Sequence, residues 1–112
     1  MFERDTFFLL GDMLEAANNI FSYTSDLNYE QFVSDKKTID ASVRNFEIIG
    51  KAANRIPDDF KLMHPEVEWR RIIGLRNRII HEYFGVDYEI IWDVKESFLP
   101  LLAEWLEEII KK

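Results

Sequence analysis

The chain contains no cysteine, which excludes a disulfide framework and any thiolate metal site. Turn-formers are scarce too: 4 glycines and 3 prolines are spread over 112 residues, leaving no room for an interdomain linker or a low-complexity tract. No apolar run approaches the length that spans a bilayer. The opening MFERDTFFLL places Glu3 and Asp5 ahead of its apolar run, the wrong polarity for a secretory signal. Positive charge is the minority, 14 Lys and Arg against 21 Asp and Glu for a net −7. A broad cationic surface for nucleic acid is therefore excluded, and any such binding has to be local. Only two histidines are present, His64 and His81, and neither belongs to an E-x-x-H pair, so a carboxylate-bridged dimetal site is not expected. Gly-rich phosphate loops are absent as well. The expectation is one cytoplasmic domain over residues 1–112, with no metal, no cofactor and no membrane segment.

What is present is helical. Sustained period-2 alternation is missing, whereas Leu10, Leu14, Ala17 and Phe21 recur at steps of three and four within Phe2 to Tyr23, the signature of an amphipathic helix. After the polar TSDLNYEQFVSD, a second helix is expected from about Asp35 to Arg55. Ile39, Val43, Phe46, Ile49, Ala53 and Ile56 form its stripe, and Pro57 stops it. Gly50 lies inside that stripe, where it permits a close helix contact. PDDFKLMHPE (57–66) reads as a connector. A third helix is expected from Val67 to Phe84, ended by Gly85 as a left-handed cap. Asp87 then caps a fourth, with Ile91, Val94, Phe98, Leu101, Trp105 and Ile109 facing inward and Pro100 kinking or splitting it. Four main helices with short connections predict an all-α, antiparallel up-and-down bundle.

The third helix carries the chemistry. WRRIIGLRNR (69–78) has four arginines and no acid, a local basic patch in an acidic chain. At about 100° per residue, Arg76 falls amid Trp69, Ile72, Ile73, Ile79, Ile80, Tyr83 and Phe84, the middle of the apolar face. A guanidinium there keeps its charge and needs acceptors. Two readings remain open: a structural ion pair with a neighbouring helix, Glu47 being a candidate, or a cleft in which Arg76 holds an anion. On the opposite arc Asn77 and His81, four apart, share one edge. Imidazole moves protons near neutral pH, a guanidinium stabilises charge on a phosphate, and Asn77 could orient the ring or meet a sugar. RNA carries its own 2′-hydroxyl nucleophile, so such a set could cleave it without metal. Arg76 and His81 lie ~140° apart on an ideal helix, so convergence requires the arginine's reach, a distorted turn or a second copy of the site.

The motif Arg76-Asn77-Arg78-Ile79-Ile80-His81 resembles the R-x4-6-H signature of HEPN domains, and with Tyr83 it becomes the R-x4-H-x-Y of HepT-like toxins. RNFEIIGKAANRIP, WRRIIGLRNRIIHEYFGVD and IIWDVKESFLPLL also resemble HepT-family segments in the family's order, so the likeness covers about Phe7 to Ile110. The resemblance implies a HEPN-like bundle that dimerises with two motifs facing one cleft. It further implies a metal-independent endoribonuclease, the toxin of a type VII-like toxin–antitoxin pair. Its partner would be a minimal nucleotidyltransferase, the antitoxin, which in some pairs transfers AMP to the motif tyrosine. Carried over residue by residue, Arg76 and His81 are expected to be catalytic, Asn77 supporting and Tyr83 the AMPylation site. Arg70, Arg71 and Arg78 are candidate RNA contacts. The alternative is a non-catalytic helical homodimer that serves as the binding partner of a nucleotidyltransferase.

Overall fold

The computed structural model describes residues 2–81 and 85–111, the side chains of Phe2 and Glu3 apart. Helix α1 (Phe2–Thr24) is followed by the short α2 (Tyr29–Val33) and the long α3 (Lys36–Arg55). The polar 24–35 segment makes its one turn through a reciprocal cap: Asn28 Oδ1 accepts from the Gln31 N–H at 2.8 Å, and Gln31 Oε1 accepts from the Asn28 N–H at 2.9 Å. Asp35 starts α3 by accepting from the Thr38 N–H at 3.1 Å and the Thr38 hydroxyl at 2.8 Å. Helix α3 ends at Ile56, whose extended backbone is the conformation favoured before Pro57. Helices α1 and α3 are the main packed pair and run antiparallel. Asn19 bonds Asn45 at 3.2 Å, and Phe7, a dozen residues earlier, meets Phe60 just beyond the end of α3 at 6.1 Å between rings.

The core is one cluster in which Leu10, Met13, Ala17 and Ile20 of α1 meet Ile39, Phe46, Ile49 and Ala53 of α3. Buried side chains of the later elements complete it. Leu14 and Phe21 sit at its margin, so the inner face of α1 is centred slightly to one side of the stripe expected from sequence. Gly50 is buried, and a Cβ there would stand 3.6 Å from the Ile72 carbonyl and 3.7 Å from that of Ile73. This is the close approach expected of it, and an alanine would just fit.

The third helix departs from expectation. After α4 (Asp58–Met63), the expected third helix is replaced, among the described residues, by two short ones, α5 (Trp69–Ile73) and α6 (Leu75–Ile79), separated at Gly74. Helix α6 stops at Ile79, not Phe84. Ile80 turns extended at φ −108°, ψ 119° and opens strand β1 (Ile80–His81), which pairs antiparallel with β2 (Gly85–Val86). Consecutive β-branched residues suit an extended backbone as well as a helix, and the hairpin settles the choice. Gly85 adopts φ +78°, so its left-handed backbone serves the hairpin instead of capping a helix. Ile80 lies opposite Val86 and His81 opposite Gly85. Ile80 and Val86 pack against the core, and strand alternation turns His81 outward.

Asp87 caps α7 (Tyr88–Ser97) as expected, and the chain breaks at Phe98 before α8 (Leu99–Lys111). The split in the last helix is therefore present, two residues ahead of Pro100. It also shifts the helical phase, so that Leu99, Leu102, Leu106 and Ile109 are buried, whereas Leu101, expected inside, is 45% exposed. The result is an all-α, HEPN-like bundle whose third and fourth members are each broken. Helix α8 packs on α1, α5 and α6 on α3, and α7 on α6 and α8. Among the described residues no helix is long and apolar enough to cross a membrane.

Candidate functional site

The break at Gly74 and the hairpin together reposition the described residues of the motif. Arg76 is not sunk in an apolar face: it sits at the start of α6 with its side chain 53% exposed. Its Nε donates to Glu47 Oε2 of α3 at 3.1 Å, so the ion pair considered for it exists, at the surface. That contact uses one N–H of five, and among the described residues no other side chain engages the guanidinium. Arg76 borders a shallow pocket of about 240 Å³ shared with Glu47, Gly50, Lys51, Asn54 and Ile73.

His81 lies on β1, so the shared helix edge with Asn77 and the ~140° separation from Arg76 do not apply. Its ring Nε2 stands 3.2 Å from Asp87 Oδ2. The other oxygen of the same carboxylate, Oδ1, accepts from the Ile90 N–H at 3.1 Å. The Asp87 backbone is tied back as well, its N–H donating to the Ile79 carbonyl at 2.7 Å. One residue thus caps α7, closes the hairpin and faces the histidine. The Ile90 N–H, and after it His81, hold the Asp87 carboxyl below the usual carboxylate value. His81 and Asp87 line a hollow of about 390 Å³ with Tyr29, Val86, Tyr88 and Glu89. Burial, then Glu89 and Asp87, push the Tyr29 phenol up, so it remains a neutral hydroxyl.

The other expected residues distribute as follows. Asn77 and Arg78 are exposed on α6, near Arg76 in the chain. Arg71 bonds Glu68 at 3.4 Å and lies over the Phe98 ring at 4.0 Å, which ties one RNA-contact candidate to the fold. Arg70 and Arg71 border a larger hollow of about 820 Å³ with Asp58, Lys61, Leu62, Pro65, Val67 and Trp69. Tyr83, expected as the modification site, lies outside the described residues. His64, the other histidine, is largely covered: its ring lies tilted against Phe60 at 4.7 Å between centroids, and its carbonyl accepts from the Trp69 indole N–H. Asp87 and Tyr29 were missed as neighbours of His81. Only a hairpin brings Asp87 back to the ring, and the one available signal was Gly85 following the extended-prone Ile79-Ile80.

The arrangement supplies a proton-transfer group held by a carboxylate and, elsewhere on the surface, a guanidinium with donors to spare. Comparison with known proteins gives the family. A family profile described as "Ribonuclease HepT-like" matches residues 13–109. The chain is 40% identical over 109 residues to "Putative RNase MJ0127" of Methanocaldococcus jannaschii, covering 97% of this chain and 90% of that protein. To "Putative RNase MJ1380" of the same organism it is 38% identical over 107 residues, or 96% and 98% of the two lengths. To "Probable ribonuclease HepT" of Thermococcus cleftensis it is 41% identical over 102 residues, or 91% and 93%. No solved structure matches it. With its motif, all-helical fold and near full-length similarity to these relatives, the chain belongs to the HepT-like ribonuclease family.

Proposed function

We propose that the protein is an endoribonuclease that cleaves RNA by attack of the 2′-hydroxyl on the adjacent phosphodiester, without a metal ion. The observation that carries this reading is the His81–Asp87 contact at 3.2 Å, which holds an imidazole at the surface beside a hollow, on the same short segment as the partly free Arg76. In the reaction the 2′-oxygen forms a bond to phosphorus, the P–O5′ bond breaks, the 2′-proton passes to an imidazole, and the departing 5′-oxygen takes a proton from water. Arg76 stabilises the charge that builds on the phosphoryl oxygens, and Asn77 supports it through contacts to the backbone. Arg70, Arg71 and Arg78 extend the contact to neighbouring phosphates.

Arg76 and His81 border separate hollows in one chain, which favours a homodimer in which the arginine of one copy faces the histidine of the other. In this reading the protein is the toxin of a type VII-like toxin–antitoxin pair. A nucleotidyltransferase antitoxin adds AMP to Tyr83, two residues from His81, placing a phosphate and a bulky nucleoside where RNA would bind. The non-catalytic alternative draws on the Arg76–Glu47 pair, which gives the arginine a structural task.

A test is cleavage of a short RNA carrying a single 2′-deoxy residue at the scissile position. That linkage should resist while its neighbours are cut, and EDTA should leave the rate unchanged. Cleavage at the deoxy position, or complete loss with EDTA, would contradict the mechanism.

A further inference from the structure

We infer that Asp87 is a positioning residue that fixes His81 in the tautomer with the proton on Nε2, leaving the Nδ1 lone pair as the proton acceptor. The inference rests on the ribonuclease reading for its catalytic consequence, but not for its structural core. A carboxylate only accepts hydrogen bonds. Asp87 Oδ2 faces Nε2 at 3.2 Å, so a neutral ring must carry its proton on that nitrogen. Oδ1 accepts from the Ile90 N–H, which orients the carboxylate, and the backbone N–H donates to the Ile79 carbonyl, which holds the residue's backbone in place. The remaining groups around the hollow are Tyr29, Tyr88 and Glu89, and no contact of theirs with His81 competes for Nε2 among the described residues. In the cleavage step the 2′-proton therefore goes to Nδ1, and Asp87 stabilises the imidazolium that results.

The cap offers an unusually clean test, because it dictates how a replacement must point. In Asp87→Asn the amide oxygen has to face the Ile90 N–H, a donor, so the amide NH₂ faces Nε2. The cap and a hydrogen bond to the ring both survive, but the ring is driven to the opposite tautomer, with its proton on Nδ1. In Asp87→Ser the hydroxyl still caps α7 but is too short to reach His81, so neither tautomer is imposed. Asn, Asp and Ser are near-equal caps, so a purely structural role predicts three proteins of equal stability and equal activity.

A role in setting the tautomer predicts equal melting curves but turnover in the order Asp, Ser, Asn. The Asn protein should lose roughly 100- to 10,000-fold in kcat with KM little changed. Independently of any activity, ¹⁵N shifts of the neutral His81 ring should show the proton on Nε2 in the wild type and on Nδ1 in Asp87→Asn. A wild-type ring protonated on Nδ1, or Asp87→Asn with wild-type kcat, would overturn the inference. Should the Asn protein fail to fold, an Asp87→Ser protein with undiminished kcat would do the same. If the wild type cleaves no RNA, the ribonuclease reading fails, and the ¹⁵N shifts alone decide whether Asp87 sets the ring.

Discussion

Replacing Arg76 with alanine separates the two tasks that its position allows. Its structural task is one hydrogen-bonded ion pair, Nε to Glu47 Oε2 at 3.1 Å, between side chains 53% and 32% exposed. Pairs as open to solvent as this contribute about 0.2–1 kcal/mol, and Arg76 is not part of the buried core cluster. Arg76→Ala should therefore lower unfolding stability by less than about 1 kcal/mol in a urea titration. Glu47→Gln should cost about the same, and the double mutant little more, because the second change removes a pair already broken. The catalytic task is far larger. A positioned donor to developing negative charge is worth about 10²–10³ in kcat, so the Arg76→Ala protein should be well folded and nearly inactive. Glu47→Gln should keep most of its turnover, since the guanidinium remains. Two results would refute the reasoning: a loss of several kcal/mol from Arg76→Ala, or a folded Arg76→Ala protein that cleaves RNA at the wild-type rate.

Gly85→Ala forces a Cβ into φ +78°, although nothing lies within 4 Å of it, so the penalty is backbone strain of about 1–2 kcal/mol, read as a lower urea midpoint; equal stability would contradict the hairpin geometry. Phe98, fully buried where α7 meets α8 and edge-to-face with Trp105 at 5.9 Å between ring centroids, should cost about 3–5 kcal/mol on truncation to alanine, measured in the same titration. Acid should destabilise the fold through two capping carboxylates. Asp35, bonded to Thr38, and Asp87, bonded to Ile90, are both held below their ordinary value of 3.8. Their contribution is thus fully present above that value and is lost as pH falls through their lower folded values. Asp35→Asn together with Asp87→Asn should flatten that acid limb of a stability–pH curve while leaving stability near neutrality almost unchanged.

Much of the bundle could be read from the chain because its local signals agree with its packing. Asp35 and Asp87 sit where capping chemistry demands, Pro57 ends α3, and the break ahead of Pro100 follows from proline's missing donor. The third helix could not be read in this way. Its apolar positions keep helical spacing through Phe84, and Ile79-Ile80 fits a strand equally well, so periodicity alone could not find the turn at Ile80. The pairing of Ile80 with Val86 decides it, and that is a tertiary fact. The same limit governs the site. Glu47, 29 residues from Arg76, was identified because a cation on an apolar face needs an acceptor. The partner was right although the face proved to be exposed. Asp87 was read only as a cap, since its second task depends on a hairpin that brings it back across six residues to His81.

Cleavage by 2′-hydroxyl attack is tested most directly by the ends of the RNA that the purified, unmodified protein produces, compared with those from a folded His81→Ala protein. The wild type should leave a 2′,3′-cyclic phosphate on one fragment and a 5′-hydroxyl on the other, and His81→Ala should leave the RNA intact. Fragments bearing 5′-phosphates, or equal cleavage by the His81→Ala protein, would contradict it.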